Sequence, residues 1–116
     1  MFAAYLAVVI STLVVNTWAA AADLLRAQFV LANSAEVGVD EGWLPWLGGL
    51  KAAGAVGLLV GLLWLRPIGI AAAIGLTFFF IGAIATHVRA RVLYNLAFPG
   101  FFLALAVGSL VLTAVR

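Results

Sequence analysis

The sequence has no cysteine, one lysine, one histidine and four acidic side chains among 116 residues. Without cysteine there is no disulfide, no thiolate metal site and no redox-active thiol pair. That excludes the thiol oxidoreductases that act on quinones from small helical membrane bundles, because their electrons pass through cysteine pairs. One histidine and four acids are too few donors for a dedicated metal centre. The formal net charge is only +2, and Arg26, Lys51, Arg66, Arg89, Arg91 and Arg116 never gather beyond the "RAR" at 89–91. A nucleic-acid face is therefore excluded. No cofactor motif is present, so the reading is a protein that is not an enzyme and binds no cofactor.

Apolar surface is what the chain has in abundance. It is 67% hydrophobic and 9% charged, with a mean hydropathy of +1.28. A soluble domain is about 45–50% apolar and about 25% charged. Eleven ionisable groups, counting six basic, four acidic and His87, cannot cover a water-facing surface of this length. Lipid must solvate most of it. The bias toward Ala, Val, Leu, Gly and Arg over Lys, Ile and Asn suggests a high-GC bacterial gene, and hence a bacterial plasma membrane.

The apolar runs and their punctuation predict an all-α fold: a single domain over 1–116, built as an antiparallel four-transmembrane-helix bundle. The first span is expected over 2–22; about 20 residues at 1.5 Å each cross a hydrocarbon core of about 30 Å. No basic residue precedes it, so it reads as a span and not as a signal peptide. A polar loop follows over 23–45. Its first half is amphipathic through Leu24, Leu25, Phe29, Val30 and Leu31, and is expected either to extend the first span or to lie along the bilayer. "NSAEVGVDEG" reads as turns, and Asp23 and Arg26 stand close enough to pair. The second span is expected over 46–65, the third over 67–86 after the "RP" break, and the fourth over 92–115 with Pro99 near its start. Proline is well tolerated in a first helical turn.

Helices in lipid gain little from burying apolar surface against one another, so close backbone approach has to hold them. Gly54, Gly57 and Gly61 line one side of the second span. Ala71, Gly75 and Gly82 are expected to do the same on the third. The phenylalanines at 78–80, 98, 101 and 102 fill lipid-facing or gap positions.

Four spans put both termini and the 66–67 turn on one side, and the long loop with "HVRAR" on the other. The positive-inside count tips the loop side toward the cytoplasm by one or two residues, which leaves the orientation open. The polar residues are less evenly shared. Asp23 ends the first span, Lys51 lies near the start of the second, and His87 ends the third. Tyr94 and Asn95 open the fourth, with Asn16 about two turns deeper in the first. All four spans thus send a polar residue to the loop side, making these six the candidate contacts for a ligand or partner. Arg89 and Arg91 are expected to meet lipid headgroups. Lys51 lies only about 7–8 Å below Trp46, near enough to snorkel between the interfacial anchors Trp43 and Trp46. The alternative is a buried cation facing Asp23, Asn16 or a negative group on a ligand.

"WLPWLGGLKAAGAVGLLVGL" followed by "GIAAAIGLTFFFIGAIATHVRA" resembles the DoxX-like family of small four-helix membrane proteins. The Trp-Leu-Pro opening, the lysine one turn before a glycine run, the Gly-to-His-x-Arg third helix and Pro99 carry the resemblance. It implies a four-helix bundle in a bacterial plasma membrane, with relatives linked to quinone-dependent sulfur oxidation, redox complexes or chaperoning of receptors. The family has no settled catalytic motif, so no catalytic residue is assigned. Lys51 and His87 match its recurring polar positions. Three functions compete. The chain is read as a non-enzymatic accessory or assembly subunit, contacting the bilayer and other integral membrane subunits of an envelope lipid transporter or respiratory assembly. The alternative is a quinone- or lipid-binding protein with its ligand at the loop-side cluster. A proton-coupled drug exporter would need a carboxylate inside the first span, where only Ser11, Thr12 and Asn16 are available.

Overall fold

Each long helix begins and ends where its local chemistry requires. The structure, a computed structural model, describes residues 2–115. The elements are α1 (Phe2–Leu24), α2 (Gln28–Glu36), a 3₁₀ turn (Glu41–Trp43), α3 (Leu44–Leu63), α4 (Arg66–Arg89) and α5 (Ala97–Val115). Asp40 caps the 3₁₀ turn by accepting from Gly42 N at 3.1 Å. Pro45 and Pro67 sit in the first turns of α3 and α4, where a missing N–H costs nothing.

At the loop end, α1, α2 and α4 all close in the same way. A left-handed residue follows the helix, and its own N–H and that of the next residue reach back to the last carbonyls. Gly38 (φ 75) does this for α2, with Val39 N on Ser34 O at 2.9 Å. Arginine takes the glycine position in the other two. Arg26 (φ 52) precedes the Ala27 N to Ala22 O bond of 3.0 Å, and Arg91 (φ 59) precedes the Val92 N to His87 O bond of 3.0 Å. A cation at a helix C-terminus meets the negative end of the dipole, which offsets the strain of the left-handed backbone.

The long helices, of 19 to 24 residues, are long and apolar enough to cross a membrane. Only 22–28% of each span is buried inside the chain, so the larger, apolar share faces outward. The helices form a ring in which α1 packs on α3 and α5, and α4 packs on the same two. Successive spans are antiparallel. Tyr5, Val9, Leu58, Leu76, Phe80 and Phe102 fill the centre.

Several boundaries depart from the sequence reading. The loop 23–45 holds a helix, α2, and "NSAE" at 33–36 is its last turn, because Gly38 rather than Asn33 supplies the left-handed exit. The fourth span starts at Ala97, five residues later than expected, since the turn after Arg91 uses residues 92–96. The third runs on to Arg89, taking His87 into the helix. Arg116 and the amino terminus, used to mark one side, lie outside the described residues.

The glycine faces also differ from expectation on α4. A Cβ on Gly57 would lie 2.6 Å from Ala72 Cβ, and one on Gly54 would lie 2.6 Å from Leu76 Cδ2. A Cβ on Gly61 would fall on Gly69 Cα and 2.6 Å from Gly69 N. Gly75 and Gly82 have nothing within 4 Å of that position and are exposed, as is Ala71. The α4 face that meets α3 is instead Gly69, Ala72 and Leu76. Gly75 and Gly82 lie on the outside.

Candidate polar site at the loop end

Helix α1 buries one stripe, made of Tyr5, Val9, Thr12, Asn16, Ala19, Ala20 and Asp23. Three of these seven, Thr12, Asn16 and Asp23, are polar, at a spacing that keeps them on one helical face. Asp23 stands at the top of the stripe. Lys51 reaches it from α3, with Nζ 2.8 Å from Asp23 Oδ2. The lysine side chain is 15% and the aspartate 6% exposed, so Asp23 is buried and Lys51 largely so. Nζ also lies 5.4 Å from the centroid of the Phe79 ring on α4, a cation–π distance.

Gly48, one turn before Lys51, lies at the closest approach of α3 to α1 in this region. A Cβ there would stand 3.0 Å from Leu24 Cγ and 3.1 Å from both Ala20 O and Asp23 Cβ, so a larger residue would push the two helices apart by a few tenths of an ångström. The opening of α3 is therefore a positioning element, and sequence reasoning missed it. A glycine followed three residues later by a lone cation inside an apolar helix is the signal that was available. Arg26, expected to pair with Asp23, turns away through its left-handed backbone and meets Glu41 Oε1 at 3.1 Å.

The other expected contacts do not join this pair. Asn16 is fully buried; its Nδ2 donates to Thr12 O at 2.9 Å, and no described residue meets its Oδ1. His87 is 6% exposed, and its Nδ1 lies 2.9 Å from Ala83 O. A carbonyl only accepts, so Nδ1 carries a proton and donates it along the helix's own turn. Tyr94 and Asn95 belong to the α4–α5 turn and hold α2. Tyr94 Oη donates to the Glu36 carboxylate at 2.6 and 2.7 Å, and Asn95 Nδ2 donates to Asn33 Oδ1 at 2.8 Å. The bond to Glu36 holds the Tyr94 phenol above its usual range, with smaller contributions from desolvation and from the carboxylate's charge. Helix α2 is tied at its other end by Phe29, which stacks on Trp18 of α1 at 5.6 Å. It therefore crosses the loop end from α1 to the α4–α5 turn. Arg89, in the last turn of α4, and Arg91, just after it, are exposed.

A second polar join lies deeper and was not expected. Thr12 Oγ1 stands 2.8 Å from Ser109 Oγ, 2.7 Å from Val8 O and 3.2 Å from Leu105 O, linking α1 to α5. Thr12, Ser109 and Thr113 are all buried. Small hydroxyl residues are common in membrane helices because they satisfy themselves on the preceding turn, so nothing in their spacing marked them.

The expected rim cluster thus resolves into an ion pair between α1 and α3, a buried amide below it, a hydrogen-bonded strap above it, and a histidine bonded within its own helix. No group of three or more His, Cys, Asp or Glu could hold a metal ion among the described residues. Four apolar spans with the ionisable groups buried, paired or at the ends define a multi-pass integral membrane protein. The chain belongs to the DoxX-like family, whose model matches residues 6–109. No curated protein and no solved structure matches it.

Proposed function

We propose that the protein is a non-enzymatic accessory or assembly subunit of a larger membrane complex in a bacterial plasma membrane. The outward face of α4 is the observation that carries this reading. Ala71, Gly75, Phe78, Gly82 and Ala85 follow one another at helical spacing, all exposed, and the stripe ends in exposed Arg89 at the loop side. Glycine is about 0.8–1.0 kcal/mol poorer than alanine in a helix interior, and a lipid neighbour gives nothing in return. At Gly54, Gly57 and Gly61 the inward contact to α4 accounts for the residue. At Gly75 and Gly82 no contact among the described residues does. A transmembrane helix of another subunit, packed backbone to backbone with Phe78 as the knob, supplies the missing reason.

The host classes under test are an envelope lipid transporter and a respiratory-type redox assembly. Affinity isolation of the tagged protein at native expression, after mild detergent extraction, tests the proposal. Larger integral subunits should accompany the wild type and fall away in Gly75→Leu/Gly82→Leu, while that variant keeps the wild-type unfolding temperature. Recovery of the wild type alone in several gentle detergents refutes the reading. The quinone- or lipid-headgroup alternative loses its simplest anchor, because Lys51 is already neutralised by Asp23.

A further inference from the structure

Asn16 is the one buried amide on the inner stripe of α1, and it is 0% exposed. Its orientation is settled by chemistry: the end facing Thr12 O at 2.9 Å must be the nitrogen, since that carbonyl cannot donate. The other end is an oxygen that no described residue meets. Leaving a buried carbonyl oxygen without a donor is costly, and the cost is greatest where lipid rather than water surrounds the bundle. Leucine would fill the same space without that cost.

The surroundings limit what can satisfy the oxygen. Asp23 lies seven residues further along α1, roughly 10 Å toward the loop end, and its partner Lys51 is held there. On α5, the Thr12–Ser109 bond sets the register, so one to two turns toward the loop end stands buried Phe102, tilted against Phe80 at 5.1 Å. An anion is excluded, because the site offers an acceptor. A cation is disfavoured, because one neutral oxygen does not repay its dehydration.

We propose that Asn16 Oδ1 holds a neutral O–H donor inside the bundle. The donor is either a single water or the hydroxyl of a small membrane-soluble molecule. This assignment does not depend on the accessory-subunit reading, because it concerns the interior and not the α4 outer face.

Solid-state NMR of the asparagine-labelled protein in bilayers, with native mass spectrometry of the same preparation, separates the two sources. Asn16→Leu identifies the Asn16 signal. If that variant does not fold, Asn33→Ser/Asn95→Ser leaves Asn16 as the only labelled side chain. A water donor gives polarisation transfer from water to the Asn16 side-chain carbonyl as fast as to Asn33 at the loop end. A ligand donor gives no such transfer but a retained hydroxyl-bearing mass, present in wild type and reduced at least tenfold in Asn16→Leu or Asn16→Ala. A dry carbonyl with no retained mass overturns the proposal.

Discussion

Lys51 and Asp23 show why a cation survives in an otherwise apolar helix. Its charge is met at 2.8 Å and its Nζ lies 5.4 Å from the Phe79 ring centroid, so the lysine fastens α3 to α1 rather than reaching for headgroups. Removing one partner of a buried pair costs about 3–5 kcal/mol, because the other charge is left stranded, whereas removing both is far milder. Lys51→Met and Asp23→Leu should therefore each lower stability by up to that amount in a detergent-unfolding titration. The Asp23→Leu/Lys51→Met double variant should recover most of the loss. Arg89→Gln, at an exposed position with ordinary helical backbone, is the control expected to stay within about 1 kcal/mol of wild type. If Lys51→Met also matches wild type, the lysine is snorkelling and the pair contributes nothing.

At the level of helices, two glycine faces with different consequences lie on one hairpin. Gly61 meets the Gly69 backbone, which cannot move aside as a side chain can. Gly61→Ala should separate α3 from α4 and destabilise by roughly 1–3 kcal/mol, the usual cost of overpacking. Gly75→Ala, with open space around it, should be neutral or stabilising by up to about 1 kcal/mol. Thermal unfolding of the two variants side by side checks this, and equal effects would mean that the faces are assigned wrongly. This pair also shows what could be read from the chain. Four spans were legible because apolar runs long enough to cross a bilayer are interrupted by "DLLR", "RP" and "HVRAR", each a cost inside lipid. The inward face of α4 was not, because every face of a membrane helix is apolar and periodicity carries no contrast. Helix α2 was half legible: its apolar residues suggested a surface helix, but its polar second half hid the last turn up to Glu36. The candidate site was legible as six residues at one end. Their partners were not, since Arg26 and Asp23 are neighbours in sequence yet are separated by the left-handed exit from α1.

The molecule as a whole is a ring of four spans that turns most of its surface to lipid and strings polar groups along the inside of α1, from Thr12 through Asn16 to Asp23. Everything proposed of its function depends on that topology: the α4 stripe needs a lateral partner only if α4 crosses the membrane. The absence of cysteine makes the topology open to a clean test, because any introduced thiol is the only one in the chain. Leu65 lies in the α3–α4 turn and Ala90 in the turn that follows α4. Labelling Leu65→Cys and Ala90→Cys separately in intact cells with a membrane-impermeant maleimide is the most direct measurement. Four crossings predict that one of the two positions reacts and the other reacts only after the membrane is opened. Equal reaction of both from the same compartment would contradict the account.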